Sequence, residues 1–217
     1  MAMRMRHTEV GLPADGRWLD GILAHHPHVP GLIIQLERGG GTLKTSRGAF
    51  VVSAFKDAGY ATLHVGLLSH EEERKAPEVW HQVATLTTRI AAVLEWINHQ
   101  PALKDLPLGI SARDAATAAM IRVAARDGAQ LKALASRGGR PDLAGLEPLQ
   151  SLNTPLLLVT GELDDVGPIP NQQAYEQLKC EREIVVIKGA SHAFEELGTL
   201  EEATRCLVTW FRRQLPN

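Results

Sequence analysis

Two periods of apolar residues alternate along this chain, and that alternation limits its fold more than any other feature. Apolar runs of strand length, such as GLIIQ at 31–35, YATLHV at 60–65, PLLLVT at 155–160 and EIVVI at 183–187, are separated by segments of helical period. The clearest helix is predicted over 79–100, where Val83, Leu86, Ile90, Val93, Leu94 and Ile97 form one apolar stripe. Further strands are predicted over 7–12, 18–24, 107–112 and 131–135, with Asp15-Gly16 as a hairpin turn between the first two. Further helices are predicted over 47–58, 115–126 and 200–215, with a glycine-rich loop at 38–42 and a turn at 136–142. Strands alternating with helices fold as an α/β protein, a mostly parallel central sheet flanked by helices on both faces. No repeat or low-complexity linker interrupts the pattern, so a single domain is expected over 1–217.

Composition narrows the partners. Apolar residues make up 44% and charged residues 22%, ordinary for a soluble globular chain. The formal charge is −2 with no basic block, so no nucleic-acid footprint is expected. No apolar stretch approaches membrane-spanning length, and the start, MAMRMRHTEV, has basic residues without the apolar core of a secretory signal. The two cysteines, Cys180 and Cys206, lie far apart and outside metal-type spacing, which suits a reducing cytoplasm. Gly39-Gly40-Gly41 is not followed by Gly-Lys-Ser/Thr, so it is no phosphate loop, and no cofactor is expected. The expected partner is a small-molecule substrate or ligand, with an anionic group as one candidate.

In such sheets, chemistry sits beyond the carboxyl ends of the strands. Two loops there carry complementary groups. Asp164 follows PLLLVT in Gly161-Glu162-Leu163-Asp164, and His192 follows EIVVI in Gly189-Ala190-Ser191-His192. A carboxylate that holds an imidazole in one tautomer makes it a general base.

These residues resemble the dienelactone hydrolase branch of the α/β-hydrolases. The stretches that carry the likeness are SRGGRPDLAG from Ser136, PLLLVTGELD, GASHAFEELGTLEEA and, in the first half, AGYATLHVGLLSHEEE. The resemblance implies an α/β-hydrolase fold and hydrolysis of esters or lactones by a serine or cysteine nucleophile with a histidine and an aspartate. Two departures stand out. The family's Gly-x-Ser/Cys-x-Gly elbow is replaced by Leu108-Gly-Ile-Ser-Ala-Arg-Asp-Ala-Ala116. An ungapped placement puts Asp114 at the nucleophile between Ala112 and Ala116. The fallback nucleophile, Ser111, sets Arg113 where a glycine belongs and leaves a strand of about four residues, short against the usual five to six. The second departure is the oxyanion loop, where Glu37-Arg38 precedes Gly39 in place of a His-Gly start. A glutamate there opposes a developing negative charge, whereas an arginine attracts an anionic substrate group.

An aspartate nucleophile is the chemistry of haloalkane dehalogenases and epoxide hydrolases on this fold: the carboxylate forms an ester that histidine-activated water then cleaves. Asp114, His192 and Asp164 have the residue types for it. The alternative is a hydrolase scaffold without hydrolase chemistry, a binding or interaction module in which Arg113 neutralises Asp114 and Glu37-Arg38 fill the oxyanion site. Around this core, Arg137 and Arg140 could clamp a carboxylate or phosphate, or Arg140 could pair with Asp142 to hold its turn. His25, His26 and His28 form a weak metal candidate, broken by Pro27, and no metal site is expected. Glu71-Glu72-Glu73 with Arg74-Lys75 reads as a solvated loop. Trp80 reads as packing, with a pocket wall as the other option. Glu195-Glu196 either shape the pocket or cap a helix.

Overall fold

A computed structural model describes residues 5–44, 47–127 and 130–215, so the basic start at 1–4 lies outside the described residues. Within them the apolar runs pair into one eight-stranded sheet. The strands are β1 (Arg6–Ala14), β2 (Arg17–His25), β3 (Leu32–Gly39), β4 (Ala61–Leu68), β5 (Leu108–Arg113), β6 (Leu131–Gly139), β7 (Leu156–Gly161) and β8 (Arg182–Ile187). Their order is β1-β2-β4-β3-β5-β6-β7-β8. β1 pairs antiparallel with β2, and β2 with β4; every other pair is parallel. Asp15 and Gly16 both have positive φ, 52° and 68°, as a two-residue hairpin of primed type requires.

Alternation along each strand sorts its side chains between two apolar layers. Leu32, Ile34, Leu108, Ile110, Leu156 and Leu158 face one layer, while Ile33, Ala133, Leu157 and Val159 face the other. The first layer is covered by α3 (Val83–Asn98) and α4 (Asp114–Asp127), and the second by α1 (Arg47–Asp57) and α7 (Thr199–Gln214). The stripe of α3 buries Leu86, Ile90, Val93 and Ile97. Phe55 of α1 meets Phe211 of α7 edge to face, ring centroids 5.3 Å apart, beside the buried Trp210.

Several segments differ from the sequence expectation. The helix predicted over 79–100 starts as a 3₁₀ turn, Pro77–His81, and becomes α3 only after Gln82, where the backbone leaves helical angles (φ −87°, ψ 85°). β6 runs on to Gly139 through part of the predicted turn at 136–142, because Ser136 and Arg137 pair with Leu158 and Val159 of β7. The acidic run is not a solvated loop but a helix, α2 (His70–Lys75), started by a capping box between Ser69 and Glu72. Glu72 is buried and takes two bonds from Arg89, at 2.6 and 2.9 Å, and Arg89 also donates to the Leu67 carbonyl at 2.6 Å. Two helices had no sequence reading, α5 (Leu146–Ser151) and α6 (Pro168–Gln177). Among the described residues no helix is long and apolar enough to cross a membrane.

Candidate active site

Parallel strands end together, so their C-terminal loops converge on one cavity of about 1100 Å³. Glu37 from β3, Asp114 after β5, Asp164 after β7 and His192 after β8 all line it.

Asp114 occupies the bend between β5 and α4. Its φ is +48°, a conformation that crowds Cβ against the backbone and that aspartate tolerates better than most residues. The bend is pinned by the Arg140 N–H, which donates to the Asp114 carbonyl at 3.0 Å, and by a parallel bridge from Asp114 to Gly139. Ala112 and Ala116, buried on either side, leave room for the sharp turn. The side chain is therefore held up out of the sheet.

Two close approaches bring the other groups to it. A Cβ on Gly161 would collide with the Ala190 carbonyl, so glycine lets the loop after β7 lie against the loop after β8. Gly138 has φ +59°, and a Cβ there would stand 2.7 Å from the His192 carbonyl oxygen. Glu196 fastens the same loop, accepting from the Ser191 N–H at 2.9 Å and its hydroxyl at 3.2 Å.

The result is a carboxylate–imidazole–carboxylate row. His192 Nδ1 lies 2.8 Å from Asp164 Oδ2, and His192 Nε2 lies 2.7 Å from Asp114 Oδ1. Asp164 is buried, and its other oxygen accepts from the Val166 N–H at 3.1 Å. Asp114 Oδ2 accepts from Trp80 Nε1 at 3.2 Å and pairs with Arg113 Nε at 3.0 Å. With a carboxylate on each ring nitrogen, both nitrogens act as donors and the ring is an imidazolium. The Asp114 hydrogen bond does most to push the His192 pKa up to about 9, against the opposing effect of partial burial and with further help from Asp164. For Asp114, burial works to raise the pKa, but the His192 hydrogen bond and the Arg113 and His192 charges outweigh it and hold the carboxyl below its usual range.

The remaining candidates fall in distinct places. Ser111 is buried mid-strand in β5, in register between Gln35 and Ala135, and neither ring nitrogen of His192 is directed to it. Glu37 is buried at the cavity floor, 3.4 Å from Gln35 Nε2 and 3.7 Å from His64 Nε2, and packs so closely on Gly48 that a Cβ there would overlap its carboxylate. Arg38 lies at the rim and donates to the Pro77 carbonyl at 3.5 Å. Gly39 ends β3 against the Glu73 side chain. Arg140 lines the cavity but grips Asp142 with two nitrogens, at 2.8 and 2.6 Å, so it also holds its own turn. Arg137 is 4% exposed and stacks over Phe194, 5.4 Å from the ring centre. Glu195 pairs with Arg47 at 2.9 Å across the rim. His26 accepts from the His28 N–H at 3.2 Å, and among the described residues no three His, Cys, Asp or Glu side chains are grouped to hold a metal ion.

Trp80, read from the sequence as packing or else a pocket wall, is both buried and on the cavity lining. Its indole N–H reaches a residue 34 positions away in the chain. The sequence signal was its place at the start of the predicted helix; the bond to Asp114 itself had none.

Comparison with known proteins bears on the fold. The dienelactone hydrolase from Anabaena variabilis superposes with a TM-score of 0.89 at 29% identity, covering 97% of this chain and 98% of that one. Est1E from Butyrivibrio proteoclasticus shares the fold at a TM-score of 0.78 and 18% identity, covering 96% and 99% of the two chains. Two Mycobacterium tuberculosis proteins, provisionally named phosphoribosyl transferases, are 36% identical over 186 residues, which is 85% of this chain but 42% of theirs. The chain thus spans well under half the length of those relatives. No family model matches the sequence. The chain has the α/β-hydrolase fold and is similar to a dienelactone hydrolase.

Proposed function

We propose that this dienelactone hydrolase-like chain is a small-molecule hydrolase with Asp114 as nucleophile, His192 as the base that activates water and Asp164 as the acid that orients His192. One observation carries it. The side chain at the strained strand-to-helix bend lies 2.7 Å from an imidazole that a second, buried carboxylate holds at 2.8 Å.

The electrophile follows from the nucleophile. A carboxylate attacking an ester carbonyl would yield an anhydride, more reactive than the ester it replaced. Attack on a saturated carbon yields a stable alkyl ester, so the substrate class is an alkyl halide or an epoxide. In the first step Asp114 Oδ1 displaces its contact with His192 and bonds to carbon, while the carbon–halogen or carbon–oxygen bond breaks toward the leaving group. Water then attacks the Asp114 carboxyl carbon, and the alcohol departs with Oδ1. The carboxylate is restored with one oxygen from water. Charge that builds on Oδ2 in this second step faces the Trp80 and Arg113 N–H groups.

Proton balance supports the same order. In the resting protein His192 is an imidazolium and no base. Esterified Asp114 carries no charge, which removes the largest cause of the raised His192 pKa. His192 then gives its proton to solvent, or to the alkoxide of an opened epoxide, and becomes a base when water must be activated.

The second reading, a binding module without turnover, draws on the same saturation: both Asp114 oxygens are already partnered. Asp114→Asn decides between them. The hydrolase loses turnover at least about a thousandfold with its circular dichroism unchanged. Equal turnover in both proteins removes Asp114 as nucleophile. A ligand that raises the melting temperature and is never consumed favours the binding module. We further place the protein in the cytoplasm, because Cys180 and Cys206 are free thiols.

A further inference from the structure

The β1–β2 hairpin carries the sheet past α1, and a second cavity of about 510 Å³ lies between them. Among the described residues it shares no lining residue with the cavity around Asp114. Ile22, Ala24, Leu43 and Val52 supply its apolar walls. Thr62 and His64 of β4 also line it, in register with Ala24 and Ile22 of β2. They are 1% and 2% exposed, and among the described residues neither Thr62 Oγ1 nor His64 Nε2 has a hydrogen-bond partner. His64 Nε2 stands 3.7 Å from Glu37 Oε1, too far for a bond. Cations line the more exposed part, Lys44 and Lys56. Lys44 is held by Glu9 at 2.6 Å, whereas Lys56, in the last turn of α1, has no side-chain partner among the described residues.

A buried hydroxyl or ring nitrogen without a protein partner costs stability unless water or a ligand bonds it. A β-branched apolar residue would suit the same strand face without that cost, as Ile33 of β3 does in register with Thr62. The polar pair on β4 therefore points to something it binds. We propose that this cavity is a second ligand site, and that it takes a hydroxyaryl carboxylate: a flat monoanion with its hydroxyl opposite its charge. The carboxylate meets Lys56 near the surface, the apolar walls hold the ring, and the hydroxyl bonds Thr62 and His64 within.

Each part of that ligand answers a feature of the cavity. Its volume lies in the range that encloses small molecules, with mostly apolar walls and few polar groups. One cation is uncommitted, so a single negative charge is matched and a dianion is not. A threonine hydroxyl donates and accepts, and a neutral imidazole does one at each nitrogen, so both complement a hydroxyl. A rigid ring keeps charge and hydroxyl apart without the entropy loss of a flexible chain. The site stands apart from the hydrolase reading and does not depend on it.

Isothermal titration calorimetry of the full chain with 4-hydroxybenzoate tests the proposal. The expected result is saturable binding by the wild type. Benzoate, which lacks the hydroxyl, and 4-hydroxybenzamide, which lacks the charge, should each bind at least tenfold more weakly. Lys56→Met should lose at least tenfold in affinity for 4-hydroxybenzoate. Ser53→Trp, at an exposed lining position of α1, should fill the cavity and abolish binding. Thr62→Val separates a ligand contact from a structural hydroxyl. It should bind at least tenfold more weakly yet melt at a higher temperature without ligand, because valine removes an unpartnered buried oxygen. Absence of saturable binding overturns the proposal, as does equal affinity for 4-hydroxybenzoate and either analogue; both readings use the wild type alone and stand even if Ser53→Trp fails to fold. Affinity unchanged in Lys56→Met or in Thr62→Val moves the binding to another surface, such as the cavity around Asp114, and also overturns it.

Discussion

Asp114 combines strain and charge at one position. Its left-handed backbone angle costs on the order of 1 kcal/mol, which the Arg140 N–H bond and the packed alanines offset. Its carboxylate sets the protonation of His192. His192 nuclear magnetic resonance should therefore titrate near 9 in the wild type and fall toward 6.5 in Asp114→Asn. An unchanged value would separate the two residues in solution. The pair also links pH to stability, and the sign follows from each shift. His192 is raised, so its contribution is complete below its ordinary 6.5 and fades as pH rises through about 9. Asp114 is lowered, so its contribution is complete above its ordinary 3.8 and fades as pH falls through its depressed value. Melting curves of wild type against Asp114→Asn should differ most between these limits and converge toward both extremes. A constant offset would mean that the pair is not coupled to folding.

At the scale of elements, glycines at strand ends decide whether the loops meet. Gly138→Ala adds a Cβ at φ +59° and presses on the His192 carbonyl. It should cost about 1–2 kcal/mol of stability in a urea titration and depress turnover more than that loss explains. Wild-type turnover in Gly138→Ala would show that the His192 loop adjusts freely. α2 and α3 are joined differently, through the buried Arg89–Glu72 pair. Arg89→Met leaves buried Glu72 with only the part-exposed Arg17, 3.3 Å away, and should destabilise by about 3 kcal/mol, mostly as a shift in urea midpoint. A change under 1 kcal/mol would mean that Glu72 rotates out to water. These elements also show what the sequence could convey. The apolar runs of β3, β4 and β7 were legible because burial on both faces demands them, and β8, a part-buried edge strand, showed through its β-branched run. α2 was hidden in a charge run, although its capping box, Ser69 to Glu72, was present as a signal. The end of β6 was read as a turn because Arg137, Gly138 and Gly139 lack apolar side chains, and only its neighbour β7 makes it a strand.

For the whole molecule, topology explains why most of the site was readable and part of it was not. A parallel sheet sends its C-terminal loops to one end, so Asp164 and His192 could be paired from their places after two strands. The Asp114 bend followed from where β5 had to stop. Trp80 and the buried state of Arg137 depend on how a crossover turn and a strand end settle over the cavity, and no local pattern records that. The Mycobacterium tuberculosis proteins are more than twice as long as the matched region, so their names bear on a larger assembly of chain than this fold alone. The claim on which the rest depends is that Asp114 carries a covalent ester during turnover. Peptide mapping by mass spectrometry after incubating His192→Gln with 2-bromobutanoate and with 1-bromobutane tests it most directly. The expected result is the mass of the substrate less bromine on Asp114, a carboxypropyl or a butyl group, absent from His192→Gln carrying Asp114→Asn as well. An unmodified Asp114 with both halides would contradict it.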